Sequence, residues 1–325
     1  MRKMRRSASH GAFRPEEDRT GRAFVLVLRS PLSRLQCSSS IQSKVQGDQI
    51  GQFLTHPPHA PLPVRDVPTY LRHKGRRVLV TGAAGGVGRA TAAQLAAEGA
   101  HVVLADIRMD AVEEAAGSIG GDAFAVRIDL AELTSIAAAL QASESRFGPL
   151  DGLVNCAAIV IHAEPLETAW ADWERIFRIN LFGAYEASRL VARSMIASSA
   201  RGAIVSVASE AGKKGHVESL AYSASKAALI NMTRMLSAAL APHDINVNCV
   251  CPGGVATDML REVAVAYGRL AGQTPEEVYP QLVSSQLNRH IEPVEVARTI
   301  SFLLSDDAVI IRGQAVNADG GDTPY

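Results

Sequence analysis

From Arg76 onward the sequence alternates short apolar runs with segments of helical periodicity, and this alternation constrains the fold more than any other feature. Repeated strand and helix units of this kind predict a parallel sheet that is covered by helices. We expect an α/β fold with a doubly wound, mostly parallel sheet in a single domain over residues 76–325. The predicted strands are 78–81, 100–106, 123–129, 150–155, 203–209, 245–251 and 314–317. The predicted helices are 86–98, 132–147, 170–197, 221–240 and 294–304.

Residues 1–75 have a different composition, with clustered Arg and Ser, a Pro-rich run at 56–63 and no sustained apolar period. They hold 13 Lys and Arg against 5 Asp and Glu, whereas the remainder holds 20 against 28. Such a composition predicts a disordered or irregular extension. Two explanations stay open. One is an organellar transit peptide, against which the acidic run 16–18 counts, and the other is an upstream extension with no fold of its own.

Composition also argues against several classes of function. No apolar run approaches the ~20 residues that cross a membrane, so we expect no membrane partner. The basic N-terminal stretch lacks interleaved aromatic residues and a recognisable nucleic-acid-binding fold, so we expect no nucleic-acid partner. The four cysteines have neither metal-ligand spacing nor a disulfide framework, which predicts no metal site and fits a reducing cytoplasm.

A glycine-rich turn, Thr81-Gly82-Ala83-Ala84-Gly85-Gly86-Val87-Gly88, lies between the first predicted strand and the first predicted helix. Glycines permit a tight turn there and let backbone N–H groups approach a pyrophosphate at the helix N-terminus. Asp106 ends the next predicted strand about 20 residues further on, where a dinucleotide site places the acid that binds the ribose. This context predicts a dinucleotide-binding, Rossmann-type unit.

Tyr222 and Lys226 lie four residues apart in a predicted helix, so that both are on one face. A free tyrosine titrates near pH ~10, and a neighbouring ammonium should lower that pKa. Such a tyrosine can act as a general acid or base. Taken alone, the pair favours a plain helix with an exposed Lys and a half-buried Tyr, because this spacing occurs by chance in many helices.

Further motifs follow in a fixed order, and together they carry a family resemblance. They are Thr81-Gly82-x-x-x-Gly86-x-Gly88, Asp129-Leu130, Asn155-Cys156-Ala157-Ala158, Asn180, Ser209, Tyr222-x-x-x-Lys226, Pro252-Gly253 with Thr257, and Gly313-Gln314-x-x-Asn317-x-Asp319-Gly320-Gly321. In this order they resemble the short-chain dehydrogenase/reductase family over residues 76–321. The length fits its short, single-domain branch, which is similar to the 3-oxoacyl-carrier-protein reductases.

The resemblance implies an NAD(H)-dependent enzyme that interconverts a small-molecule secondary alcohol and a ketone. Tyr222 would be the general acid/base, Ser209 would bind the substrate oxygen, Lys226 would lower the tyrosine's pKa and hold the ribose, and Asn180 would anchor a water for proton relay. The implied cofactor-binding residues are Gly82, Gly85, Gly86, Val87, Gly88, Asp106, Ile107, Asp129, Leu130, Asn155, Ala157, Tyr222, Lys226, Pro252, Gly253, Val255 and Thr257. The family often pairs its long helices, which implies a homodimer or homotetramer.

The chain departs from the family pattern at two places. The usual Asn-Asn-Ala-Gly reads Asn155-Cys156-Ala157-Ala158, so a methyl group would tighten the space beside the cofactor ribose or require a small backbone shift. Gly85 also lets the turn fit the pattern of the longer, epimerase-like branch. Only about 245 residues lie between Arg76 and Gly321, which leaves no room for the larger substrate domain of that branch.

Substrate selectivity should depend on three segments, 159–168, 210–221 and 258–292, the last of which is expected to form a mobile lid. Lys213, Lys214 and His216 would favour an anionic substrate, unless they only form a solvated loop. Three alternatives to an NAD(H)-dependent alcohol dehydrogenase stay open. They are the use of NADP(H) as cofactor, an NADPH-dependent 3-oxoacyl thioester reductase, and a non-catalytic nucleotide-sensing protein on the same fold.

Overall fold

The computed structural model describes residues 70–284 and 286–324, all of which belong to one compact unit. Their seven strands form one sheet of order β3-β2-β1-β4-β5-β6-β7, in which every pairing is parallel. The strands are β1 (Arg77–Thr81), β2 (His101–Asp106), β3 (Phe124–Arg127), β4 (Gly152–Asn155), β5 (Gly202–Val207), β6 (Ile245–Pro252) and β7 (Ala315–Ala318). The main helices are α1 (Gly86–Ala97), α2 (Met109–Ile119), α3 (Leu133–Phe147), α4 (Trp170–Phe177), α5 (Ala184–Ala197), α6 (Leu220–Leu240), α7 (Asp258–Ala271) and α8 (Pro293–Leu304). The predicted doubly wound parallel sheet is confirmed.

Both faces of the sheet are covered, and the alternation of side chains along β1 illustrates this. Val78 and Val80 pack in the apolar layer that contains residues of α1, α2 and α8. Leu79 points to the opposite layer, which contains residues of α3 and α5. Strands buried on both faces need apolar residues at consecutive positions, which is why they appear in the sequence as unbroken apolar runs.

The structure differs from the sequence prediction in three helical regions, one of which is α7, where the sequence predicts a lid and no helix. Helix α2 was not predicted, because its buried positions are Val112, Ala115 and Ala116 and the helix then continues through an exposed glycine. The single helix predicted over 170–197 is divided into α4, a π-helical stretch Arg178–Gly183, and α5. The chain passes very close to the segment after β3 there, since a Cβ on Gly183 would lie 2.4 Å from the carbonyl oxygen of Leu130.

Residues 70–75 precede β1 and pack on the unit. The side chain of His73 is fully buried, and its Nε2 lies 3.0 Å from Ser301 Oγ in α8. Arg72 pairs with Asp307 at 3.2 Å and with Glu98 at 3.4 Å. Most of the predicted extension, including the Pro-rich run and the acidic residues that bear on a transit peptide, lies outside the described residues.

Among the described residues, no helix is long and apolar enough to span a bilayer. In the same ranges, no group of three or more His, Cys, Asp or Glu side chains could hold a metal ion.

Candidate functional site

The carboxyl ends of β1, β2, β4, β5 and β6 border a cavity of about 720 Å³. The strand order reverses between β1 and β4, and doubly wound sheets bind ligands at such a switch point. The wall of the cavity includes every predicted site residue except Asn155 and Asn180. These are Gly82, Gly85, Gly86, Val87, Gly88, Asp106, Ile107, Asp129, Leu130, Ala157, Ser209, Tyr222, Lys226, Pro252, Gly253, Val255 and Thr257.

The glycine turn is packed so tightly that side chains would not fit. Gly82 has φ +68°, and a Cβ there would lie 2.8 Å from the backbone N and Cα of Ala157. A Cβ on Gly88 would lie 2.1 Å from the carbonyl oxygen of Gly82. Gly85 is the N-cap of α1, and neither a side-chain cap nor an acidic residue occupies the first turn. The N-terminus of α1, which has no side-chain cap, therefore lies at the cavity wall, and such a helix start suits a pyrophosphate.

Asp106 lies at the end of β2, beside the glycine turn. Its carboxylate accepts hydrogen bonds from the backbone N–H of Ala84 at 3.2 Å and of Arg108 at 3.0 Å. The exposed Arg108 side chain lies along the same wall, with Nε 3.7 Å from Asp106 Oδ1. A Cβ on Gly85 would lie 3.7 Å from this guanidinium. An acid and a base thus both border the region where an adenosine ribose would lie.

Tyr222 and Lys226 are on the cavity-facing side of α6, and Ser209 follows β5. Lys226 is buried, and its Nζ donates a hydrogen bond of 2.7 Å to the carbonyl oxygen of Val207 and lies 5.6 Å from the centre of the Tyr222 ring. Burial lowers the pKa of Lys226 to about 8, so it stays mostly an ammonium at neutral pH. The structure therefore brings three predicted catalytic residues to one wall.

The expected direction of the tyrosine pKa was wrong. Burial raises the pKa of Tyr222 to about 12, and a hydrogen bond with Ser209, which acts in the opposite direction, is the smaller effect. The negative charge of Glu210 adds to the rise. The ammonium of Lys226 is directed to a carbonyl, and desolvation of the phenolate outweighs what the sequence spacing suggested.

Asn180 is buried in the π-helical stretch, where it connects two segments. Its side chain accepts a hydrogen bond from the backbone N–H of Ile159 and donates to the carbonyl of the same residue, each at 2.9 Å. It also donates to Ser225 in α6 at 3.2 Å. The structure thus gives the side chain a positioning role for the 159–168 segment, while the proposed water contact stays a prediction.

Asn155 is buried behind the wall rather than on it. Its Nδ2 donates to Ser188 Oγ at 2.9 Å and to Ser206 Oγ at 3.3 Å. Its neighbours Cys156 and Ala157 reach the cavity, and both donate backbone hydrogen bonds to the hydroxyl of Thr81.

The departure at Ala158 is accommodated without backbone strain. Ala158 lines the cavity and is not among the described non-glycine residues with positive φ. The backbone conformation at this position is therefore one that alanine adopts freely. Cys156, which stands where the family usually has asparagine, has a thiol whose pKa burial raises to about 12, so it is neutral.

Parts of the three segments predicted to set selectivity border the cavity. Residues at its wall include His162 from the first segment, and Met259, Leu260, Val263 and Tyr267 from α7. Thr257 caps the start of α7 by accepting from the backbone N–H of Leu260. The rings of His162 and Tyr267 meet edge to face, with their centres 5.2 Å apart.

Glu210 lines the cavity at the start of the predicted 210–221 segment, but the sequence alone does not single it out. Its Oε2 lies 3.1 Å from Lys214 Nζ, and its Oε1 lies 3.4 Å from His216 Nε2. Lys213 points elsewhere and donates to the carbonyl of Ala315 in β7 at 3.0 Å. The predicted cationic cluster is therefore divided, and the part that reaches the cavity is paired with a carboxylate. Only its position after Ser209 could have drawn attention to Glu210.

Comparisons with known proteins agree with this geometry. A family model described as short chain dehydrogenase matches residues 76–267. The chain is 36% identical over 253 residues to galactitol 2-dehydrogenase of Agrobacterium fabrum, which covers 78% of this chain and 99% of that protein. It is 33% identical over 255 residues to meso-2,3-butanediol dehydrogenase of Serratia marcescens, with coverage of 78% and 96%.

Two solved structures of reductases are also similar to this chain in fold and sequence. A variant of actinorhodin polyketide ketoreductase with NADPH superposes with a TM-score of 0.74 at 31% identity, covering 77% of this chain and 98% of that one. The 3-ketoacyl-(acyl-carrier-protein) reductase from Brucella melitensis, complexed with NADH, has a TM-score of 0.68 at 28% identity, with coverage of 77% and 98%. The chain belongs to the short-chain dehydrogenase family and is an NAD(P)-dependent oxidoreductase.

Proposed function

We propose that this protein interconverts a secondary alcohol and a ketone with NAD(H), and that Tyr222 is its general acid/base. The convergence of Tyr222, Ser209 and Lys226 on the same cavity as the glycine turn is the observation that carries the proposal. Relatives named as dehydrogenases of galactitol, meso-2,3-butanediol and sorbitol support a secondary alcohol as substrate.

When it is bound, the nicotinamide supplies the chemistry of hydride uptake or release. The residues of this chain handle the proton. Tyr222 takes the proton of the carbinol hydroxyl during oxidation and returns it to the carbonyl oxygen during reduction. Ser209 donates a hydrogen bond to the same oxygen, and the buried ammonium of Lys226 is close enough to stabilise the phenolate that forms. The raised pKa of Tyr222 keeps its hydroxyl protonated at neutral pH in the protein without cofactor.

The central test is to compare Tyr222→Phe with Tyr267→Phe in a panel of sugars, polyols, steroids, hydroxyacids and 3-oxoacyl thioesters, followed at 340 nm. Both residues are cavity tyrosines, and burial raises both pKa values to about 12. Tyr222→Phe should reduce kcat at least about 100-fold with little change in NADH affinity, because general acid/base catalysis contributes on that scale. Tyr267→Phe should retain turnover. Equal losses in both variants, or an active Tyr222→Phe enzyme, would contradict the mechanism. Turnover by neither variant nor wild type would favour the nucleotide-sensing alternative.

The preference for NAD(H) rests on Asp106. Its carboxylate can accept hydrogen bonds from the adenosine ribose hydroxyls, and it would repel the 2′-phosphate of NADP(H). Arg108 opposes this preference, since its guanidinium lies 3.7 Å from that carboxylate and could reach a phosphate. The relatives do not decide between the two cofactors, because the Brucella melitensis reductase is complexed with NADH and the actinorhodin ketoreductase variant with NADPH.

Kinetics with both cofactors on three proteins separate these effects. Wild type should favour NAD(H), Asp106→Ala should lose much of that preference, and Arg108→Ala should increase it. Wild type that used NADP(H) equally well would refute the assignment. NADP(H) use that disappeared in Arg108→Ala, together with activity on 3-oxoacyl thioesters, would support the NADPH-dependent reductase instead.

We further propose a homodimer or homotetramer in a reducing, cytoplasmic setting. Large apolar side chains are exposed along α4, the π-helical stretch and α5, including Trp170 at 74% and Phe182 at 57% exposure, and Met235 on α6 is 60% exposed. Light scattering should give a multiple of the 34.5 kDa chain mass. Phe182→Asp should shift it toward the monomer, and a monomeric wild type would contradict the proposal.

A further inference from the structure

Arg175 is a cation at the cavity wall that the proposed mechanism does not use. It belongs to α4, its side chain is exposed to solvent, and it lines the cavity. Within residues 70–284 and 286–324, no carboxylate pairs with its guanidinium and no side-chain or backbone acceptor receives a hydrogen bond from it. Its five N–H donors are therefore available to a molecule that enters the cavity.

The packing of the helix places Arg175 beside the segment that follows β3. Ile179 is four residues further on, so it shares a helix face with Arg175, and it also lines the cavity. Ile179 packs against the apolar layer that contains Ile128 and Leu130. The next contact along the chain is Gly183, where an added Cβ would lie 2.4 Å from the carbonyl oxygen of Leu130. Arg175 thus stands above Ile179 at the rim of the cavity next to Leu130.

This rim is on the side of the cavity away from the catalytic residues. Leu130 follows β3, whereas Ser209 follows β5, and three strands separate β3 from β5 in the sheet. At ~4.8 Å between neighbouring strands, the ends of β3 and β5 are ~19 Å apart. Asp106, at the end of β2, borders the region assigned above to the adenosine ribose. The part of a dinucleotide that reaches beyond this ribose toward Arg175 is the adenine base.

The side chains at this end of the cavity suit a flat base. Leu130, Ala157 and Ile179 give the wall an apolar surface against which one face of adenine can pack. The two acids of this half, Asp106 and Asp129, only accept hydrogen bonds when they are ionised. A guanidinium is planar and cationic, and such groups stack on the π faces of bases. Arg175 therefore supplies what the acids and the apolar wall lack, a planar cation for the other face of the base.

We propose that Arg175 binds the adenine base of the cofactor by packing its guanidinium against the face of the ring. This inference goes beyond the proposed function, because the adenylate half takes no part in proton transfer and is common to NAD(H) and NADP(H). Arg175 is a binding residue in this sense, while Tyr222 remains the catalytic residue. Loss of the guanidinium should raise the KM for NADH and leave kcat near the wild-type value.

The test measures binding by calorimetry, without turnover, for three ligands: NADH, AMP, which is its adenylate half, and reduced nicotinamide mononucleotide, which lacks that half. Arg175→Met should weaken the binding of NADH and AMP about three- to tenfold, the scale of a cation–π contact, and leave the mononucleotide unchanged. Arg178→Met is the matched control, because it removes the same charge from an exposed side chain that does not line the cavity. It should bind all three ligands like wild type.

Arg175→Lys separates charge from shape, since it keeps the positive charge and removes the planar group. It should lose most of the affinity for NADH and AMP that Arg175→Met loses. Unchanged NADH and AMP binding in Arg175→Met, an equal loss for the mononucleotide, or full retention of affinity in Arg175→Lys would each overturn the inference and leave the proposed function intact. A wild type that binds NADH and AMP with the predicted dependence on Arg175, yet turns over none of the panel substrates, would support the inference and refute the proposed function.

Discussion

Replacement of Gly82 by alanine tests the packing on which the whole cofactor site depends. Gly82 has φ +68°, a conformation that costs an L-residue ~1–2 kcal/mol. The added Cβ would lie 2.8 Å from the backbone of Ala157, just after β4, and such overpacking costs a further ~1–3 kcal/mol. The sum is about 2–5 kcal/mol in the free energy of unfolding, a large fraction of the ~5–15 kcal/mol of a whole domain.

The effect can be measured by urea unfolding and by NADH titration. Gly82→Ala should lower the melting temperature by about 4–20 °C, using ~2–4 °C per kcal/mol for a domain of this size. It should also weaken NADH binding, because the glycine turn and the end of β4 must move apart. The matched control is Gly117→Ala in α2, where nothing lies within 4 Å of the added Cβ and φ is not positive.

Because an exposed helical glycine costs ~0.5–1 kcal/mol relative to alanine, Gly117→Ala should stabilise the protein and leave NADH binding unchanged. The two substitutions thus have opposite predicted signs. Equal melting temperatures for Gly82→Ala and wild type, with equal NADH affinity, would refute the close approach of Gly82 to Ala157.

Three further outcomes are expected. Burial lowers the pKa of His73 from 6.5 to about 4, so below pH 6.5 the unfolded chain takes up a proton that the folded chain does not. About 3 kcal/mol of stability should therefore be lost as the pH falls from 6.5 to 4. His73→Gln should reduce this dependence of stability on pH, measured by urea unfolding. A chain that begins at Tyr70 should melt like the full chain, whereas one that begins at Lys74 should fold and bind NADH but melt several degrees lower, because it lacks the contacts of Arg72 and His73. Lys226→Met should abolish turnover and weaken NADH binding, and without cofactor it should melt at or above the wild-type temperature.

The inner strands could be predicted because they are buried apolar runs, but the ends of the strands could not. The run 123–129 predicts a longer strand than the observed Phe124–Arg127, because among the described strands β3 pairs with β2 alone and that pairing ends after four residues. Similarly, Leu150 is fully buried but precedes β4, which begins at Gly152. Hydrophobicity records burial, whereas a strand boundary is set by the neighbouring strand, which a local pattern does not contain.

The candidate site likewise has parts that could be predicted from the sequence and parts that could not. The glycine turn and the pair Tyr222 and Lys226 were predictable, since their function depends on short spacings along the chain. The cluster of Lys213 and Lys214 was predicted as one unit, yet successive residues of a helical turn point about 100° apart. Lys213 therefore reaches β7 while Lys214 reaches Glu210. The sequence identifies the charges but does not indicate which of them share a wall.

The pKa of Tyr222 could not be predicted from the sequence either, because it depends on burial. The contacts of Lys226 indicate why a buried ammonium is nevertheless present beside this tyrosine. Sequence spacing places an ammonium near Tyr222, but burial affects both groups: it raises one pKa to about 12 and lowers the other to about 8. Among the described contacts, the ammonium donates one hydrogen bond, to Val207, although it has three donors. An apolar side chain of similar volume would often be neutral or more stable at such a position. A buried ammonium with spare donors is therefore expected where a bound molecule supplies the remaining acceptors. Such a site gives up stability in the unbound protein in return for binding. The melting temperatures of Lys226→Met and wild type, with and without NADH, measure both effects.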